Sequence, residues 1–201
     1  MLVAVDIGQA EIVMLGADYM SKITLVTGGS RSGKSTFAEK LLEDKDNVLY
    51  IATAIVTDKE MEKRVEKHKK QRNSKWETYE GYKGLDKILK EDKNKYVMLE
   101  CIGTMVTNLM FDKNYDFESM SQEDIEKLSF SIKNEIENMI AAAKESNKNL
   151  VIVTNEVGWG LVSEHRLGRI FSDILGRINQ FIARLSDEAY LVSCGIPLKL
   201  K

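Results

Sequence analysis

The chain is 201 residues long, enough for one well-buried α/β domain and short for two. Its 29 Lys and Arg against 31 Asp and Glu leave a formal net charge of −2, without the basic surplus of a nucleic-acid-coating protein. Apolar residues at 43% and charged residues at 30% make a globular composition, and no uninterrupted apolar run reaches the roughly 18 residues of a membrane span.

Residues 1–22 have no basic leader, and Asp6 and Glu11 break their apolar stretch, so no secretory signal is expected and the cytoplasm is the expected compartment. Their alternation is irregular. They read as an N-terminal extension without catalytic consequence, a small added hairpin around Gly8 or Gly16 being the alternative. Residues 23–201 read as a single domain.

Ile23 to Thr27 is a β-branched run that ends in glycines, the mark of a buried strand. A helix is predicted from about Lys34 to Glu43, with Phe37, Ala38, Leu41 and Leu42 on one face. Val48 to Thr53, Tyr96 to Ile102 and Leu150 to Asn155 are three further strands. Between the last two, Gln122 to Glu145 carries Ile125, Leu128, Ile132, Ile136, Met139, Ile140 and Ala143 at helical spacing. A last helix is predicted over Glu164 to Leu185, with Ser163 as N-cap. Near-continuous apolar strands alternating with helices imply a mostly parallel sheet covered on both faces. Ala189–Ser193 and Ile196–Leu200 are too close for a parallel crossover, so they are predicted to form an antiparallel hairpin at the sheet edge, where Pro197 is tolerated. Cys101 and Cys194 sit in apolar strand-like runs without CxxC spacing and read as two buried thiols.

Gly28, Gly29, Ser30, Arg31, Ser32, Gly33, Lys34 and Ser35 match G-x-x-x-x-G-K-[ST], directly after a strand and before a helix. Such a loop turns backbone N–H groups inward as an anion nest, and the helix N-terminus adds positive potential. Lys34 would reach the β- and γ-phosphates and the Ser35 hydroxyl would hold Mg²⁺. The fold implied is a P-loop NTPase-type three-layer α/β/α domain, and the ligand a nucleoside triphosphate. Glu100, closing its strand, is the candidate second oxygen donor for Mg²⁺; a solvated strand-end carboxylate is the alternative. The N-K-x-D guanine reader of switch GTPases is absent, since Tyr96 and Val97 follow Asn94-Lys95.

From Asp58 to Arg72 the chain is helical in propensity but nearly without a core stripe. Met61, Val65, His68 and Arg72 fall at helical spacing, and Lys67, Lys69, Lys70 and Arg72 surround the imidazole. Such a cluster suits a triphosphate or pyrophosphate and keeps a histidine neutral, as a phosphorus-attacking nucleophile must be. On the residues alone, a solvated surface histidine is the simpler reading. The other histidine, His165, is ordinary.

GGSRSGKS, LYIAT, the EMEKRVEKHK helix, LECIGTMVTNLMF, TNEVGWGLV, LGRINQ and the terminal GIPLKLK together resemble the bifunctional adenosylcobinamide kinase/adenosylcobinamide-phosphate guanylyltransferase family, from Ile23 to Lys201. The resemblance implies phosphorylation of adenosylcobinamide with ATP or GTP, then transfer of GMP from GTP to that phosphate through a guanylyl-histidine. His68 falls on that histidine's position. The implied nucleotide contacts are Gly28 to Ser35, Ala52, Thr53, Ala54, Lys69, Lys70, Gln71, Arg72, Glu80 and Glu100. A homotrimer with sites near subunit boundaries is also implied. Asn73 and Ser163 stand where the family usually has proline. Small-molecule substrates, Mg²⁺ and no nucleic acid complete the expectation. A simpler P-loop metabolite kinase, in which His68 does nothing covalent, and a nucleotide-dependent binding module are the alternatives. No motif marks the corrinoid-binding residues.

Overall fold

The computed structural model describes residues 21–55 and 73–201. Strands β1 (Ile23–Gly28), β2 (Val48–Ala52), β3 (Glu77–Glu80), β4 (Tyr96–Glu100), β5 (Asn149–Asn155), β6 (Glu188–Ser193) and β7 (Ile196–Lys199) form one sheet in the order β3-β2-β4-β5-β1-β6-β7. Every neighbouring pair is parallel except β6 with β7. The helices are α1 (Lys34–Lys40), α2 (Leu85–Glu91), α3 (Ile102–Phe111), α4 (Gln122–Glu145) and α5 (Arg166–Leu185).

Because side chains alternate along a strand, each central strand feeds two cores. Leu25, Leu49, Ile51, Val97, Leu99, Leu150 and Ile152 pack with α2, α3, α4 and α5 on one face. Val26, Val48, Tyr50, Met98, Val151 and Val153 face the other way, against Ala38 of α1, Leu42, Trp76 and Val192. The three-layer α/β/α arrangement with a mostly parallel sheet and a C-terminal antiparallel edge hairpin is therefore present. All seven predicted inward residues of α4 are buried, and α5 buries Ile170, Ile174, Leu175, Ile178 and Ile182 as its periodicity requires. Ser121 caps α4, accepting from the Asp124 N–H at 3.1 Å. Among the described residues Pro197 lies on the outermost strand, where its missing N–H is tolerated.

Several expectations are corrected. Helix α1 ends at Lys40 rather than Glu43, because the next residues tighten into i→i+3 turns, Leu42 N to Glu39 O at 3.0 Å and Lys45 N to Leu42 O at 3.0 Å. The strand predicted to reach Ile102 stops at Glu100, and Ile102 opens α3. Helix α5 begins at Arg166, two residues later than predicted. His165 holds the N-cap position, and Ser163 instead accepts the His165 N–H at 3.3 Å. Cys101 is buried as expected, but Cys194 is exposed. It occupies the tight turn between β6 and β7, with φ of 52°. The strand β3 and the helices α2 and α3 were not predicted. The N-terminal extension up to residue 20, and the polar helix of residues 58–72, lie outside the described residues.

One buried charge braces the sheet end remote from the loop. Lys148 is 3% exposed, and its ammonium donates to Asp92 Oδ2 at 2.7 Å, Asp92 O at 2.8 Å and Asn94 O at 2.7 Å. All three protons are matched. Lys148→Ala strands a buried carboxylate and two carbonyls, so urea denaturation should show a loss of about 3–5 kcal/mol. A loss under about 1 kcal/mol would mean that water replaces the ammonium without penalty.

Candidate active site

The phosphate loop is built where β1 turns into α1, at the carboxyl edge of the sheet, the edge at which open α/β sheets bind ligands. Gly28 is required by space: a Cβ there would sit 2.4 Å from Val192 O and 2.6 Å from Ser32 Oγ. Gly33 is required by conformation, with φ of 92° immediately before α1, and a Cβ there would lie 3.1 Å from the Gly195 Cα. Arg31 also takes positive φ, 57°. The Gly195 N–H donates to Ser32 O at 2.8 Å, so the turn of the β6–β7 hairpin props the loop from behind. Sequence reading missed that brace.

Lys34 is 8% exposed, and its ammonium donates to Gly29 O at 3.1 Å, inside the curl of the loop. The Ser35 hydroxyl donates to Glu100 Oε1 at 2.7 Å. Strand β5 lies between β1 and β4, so this bond spans two strand intervals at the carboxyl edge. Ser35 and Glu100, nominated separately from sequence, are thus brought together. They fit Mg²⁺: both are hard oxygen donors, and adjacent corners of an octahedron with metal–oxygen distances of about 2.0–2.1 Å lie ~3 Å apart. Among the described residues no cluster of three or more His, Cys, Asp or Glu could hold a metal.

The other predicted contacts fall along the same edge. Ala52 pairs in register with Glu80 on one side and Glu100 on the other. Glu80, exposed, closes the edge strand β3, and the Gly81 N–H donates to Ala52 O at 3.0 Å. Ala54 follows, half-buried. Thr53 is 1% exposed, and its hydroxyl is engaged by backbone. It donates toward Cys101 O at 2.8 Å and Glu100 O at 3.1 Å and accepts the Cys101 N–H at 2.9 Å. The side chain thereby serves the end of β4. Asn108 of α3, which sequence reading passed over, donates Nδ2 to Thr53 O at 2.6 Å.

Asn155 and Glu156 leave β5 beside the loop, with Gly28 paired to Asn155 and the Glu156 N–H donating to Gly28 O at 3.0 Å. Asn179 of α5 holds this exit, accepting from the Thr154 hydroxyl at 2.7 Å and donating to Asn155 O at 3.0 Å. Burial pushes the Cys101 thiol pKa up, and the neighbouring Glu100 charge adds to that. His68, Lys69, Lys70, Gln71 and Arg72 lie outside the described residues.

The chain is similar to known proteins along most of its length. Residues 24–200 match the family described as cobinamide kinase / cobinamide phosphate guanyltransferase. The chain is 46% identical over 179 residues to the bifunctional adenosylcobalamin biosynthesis protein CobU of Escherichia coli, covering 88% of this chain and 98% of the relative. CobU of Salmonella typhimurium is 45% identical with the same coverage. CobP of Pseudomonas aeruginosa is 30% identical over 180 residues, covering 88% and 96%. Among solved structures, a KaiC-like protein of Pyrococcus horikoshii aligns with a TM-score of 0.45 and 15% identity over 86% of this chain and 71% of its own. With a phosphate loop facing a strand-end glutamate and a match along nearly the whole described sheet, the chain belongs to the cobinamide kinase / cobinamide phosphate guanyltransferase family.

Proposed function

We propose that this chain phosphorylates the free hydroxyl of adenosylcobinamide with ATP or GTP and then transfers GMP from GTP to the new phosphate, giving adenosylcobinamide-GDP and pyrophosphate. The observation that carries this is the near full-length identity to CobU, in a chain whose Ser35 and Glu100 meet at 2.7 Å beside a complete phosphate loop. In the first step the acceptor oxygen attacks the γ-phosphorus and the nucleoside diphosphate leaves. Backbone N–H groups of the loop hold the phosphates, and Lys34 answers the charge on the transferring group. Mg²⁺ held at Ser35 and Glu100 would neutralise phosphate charge.

In the second step we assign His68 as nucleophile on the α-phosphorus of GTP, with pyrophosphate leaving. The phosphate of the acceptor then displaces the imidazole. An uncharged nucleophile avoids a direct encounter of two anions and divides one hard step into two. Lys69, Lys70, Gln71 and Arg72 are assigned to the phosphates, and the segment Ala52, Thr53 and Ala54, with Glu80, to the nucleotide. We further infer that the chain acts on small-molecule substrates in the cytoplasm and, on the family resemblance, as a homotrimer. Among the described residues no helix is long and apolar enough to cross a membrane.

The test uses two labels. With adenosylcobinamide present, γ-labelled GTP should label the corrinoid, and α-labelled GTP should label both the protein and the corrinoid. Transfer of γ-label without any α-labelled protein would reduce the chain to a simple metabolite kinase. Residues 23–201 are proposed to hold both activities, so a chain lacking residues 1–20 should pass the same test with turnover within about threefold of the full chain, the deleted residues preceding every element that builds the site. A large loss would assign the extension to the sheet or to assembly.

A further inference from the structure

The Thr53 hydroxyl is the most fully engaged polar group of the site, and it engages the protein. Its single proton is directed at the carbonyls of Cys101 and Glu100, 2.8 and 3.1 Å away, and its lone pair takes the Cys101 N–H at 2.9 Å. The Thr53 N–H adds a bond to Glu100 O at 2.9 Å, one residue past the last paired position of β2. Asn108, two turns into the helix that follows Glu100, closes the circuit by donating to Thr53 O at 2.6 Å. The backbone on both sides of Glu100 is therefore held from β2 and from α3, while its carboxylate reaches Ser35 across the intervening strand. The hydroxyl is buried, and its one proton is committed to backbone carbonyls on either side of the Glu100–Cys101 peptide.

We propose that the Thr53 hydroxyl, braced by Asn108, is a positioning group that fixes Glu100 for the metal-dependent part of nucleotide binding. This rests on the reading of Ser35 and Glu100 as the Mg²⁺ donors. Partners that hold a metal ligand by hydrogen bonds commonly matter 10–100-fold for metal affinity. Thr53→Val keeps the shape and removes the hydroxyl, and it leaves the Cys101 N–H without its acceptor. Thr53→Ser keeps the hydroxyl. Asn108→Ala removes only the outer brace.

Binding of a fluorescent non-hydrolysable GTP analogue is measured with excess Mg²⁺ and again in EDTA, alongside the thermal unfolding transition. In Thr53→Val, the tightening that Mg²⁺ confers should shrink on the order of tenfold, while the EDTA affinity stays within about twofold of the parent chain. The Mg²⁺ concentration for half-maximal kinase rate should rise by a similar factor. Thr53→Ser should restore both, and Asn108→Ala should shift them in the same direction by less. If Thr53→Val proves unfolded, the serine and Asn108→Ala variants still decide the matter through the same two affinities. Equal weakening with and without Mg²⁺ would make Thr53 a direct nucleotide contact and overturn the proposal. So would an unchanged Mg²⁺ effect in folded Thr53→Val and Asn108→Ala. A parent chain that binds the analogue with no Mg²⁺ effect would instead overturn the assignment of Ser35 and Glu100, and the clamp with it.

Discussion

Lys34→Ala should lower both transfer rates on the order of 10³-fold or more, while the thermal unfolding transition stays close to that of the parent chain. The ammonium is held inside the phosphate loop by Gly29 O at 3.1 Å, on the first residue of α1. A charge so placed is matched to phosphate oxygens at the loop, in a site where few waters can share the task. Alanine is the best helix former, and the loop's shape rests on Gly28, Gly33 and the Gly195 prop rather than on the lysine side chain. Rate loss should therefore separate from stability loss. Kinase turnover within tenfold of the parent would remove the loop from the mechanism. A kinase loss with guanylyl transfer intact would mean that the two steps use different triphosphate sites.

His68→Ala should eliminate the acid-labile adduct formed with α-labelled GTP and lower guanylyl transfer by on the order of 10⁴-fold or more, since a lost nucleophile leaves only binding and charge stabilisation. The kinase step should fall far less, because γ-phosphoryl transfer runs through Lys34, Ser35 and Glu100. The adduct should resist alkali and break in acid, as a phosphoramidate does. His165→Ala is the control. That histidine is exposed at the N-cap of α5, with its N–H donating to Ser163 Oγ at 3.3 Å, and its loss should leave labelling intact. Persistence of the adduct in His68→Ala, with loss in His165→Ala, would transfer the nucleophile's role to the other residue.

Local pattern and contiguous motif account for what was legible in the sequence. Strands β1, β2, β4 and β5 announce themselves as short, nearly continuous apolar runs, and α4 and α5 by periodic stripes that the core buries in full for α4 and, for α5, with Leu167 and Phe171 only partly covered. The phosphate loop is legible because consecutive residues build it, so its chemistry survives in one dimension. Helix α3 was hidden because IGTMVTNLMF is short, mostly apolar and directly continuous with a strand, and such a run does not distinguish a strand's end from a buried helix. The edge strand β3, ETYE, pairs on one side only and is largely exposed, so nothing forces an apolar alternation on it. Cys194 was misjudged for a related reason: its apolar neighbours belong to two strands, and it sits in the turn that joins them.

The sequence by itself determined the fold class, the phosphate loop and, through seven motifs in order, the family. Tertiary structure alone decided how separated residues act together. Glu100 lies 65 residues from Ser35, and Asn108 lies 55 from Thr53. Their pairing depends on strand order, with β5 inserted between β1 and β4, and on the register that aligns Ala52 with Glu100. Likewise the hairpin turn supports Ser32 only because β6 lies beside β1. Strand order is set by how whole faces bury against helices, a global packing choice that no local stretch of sequence encodes.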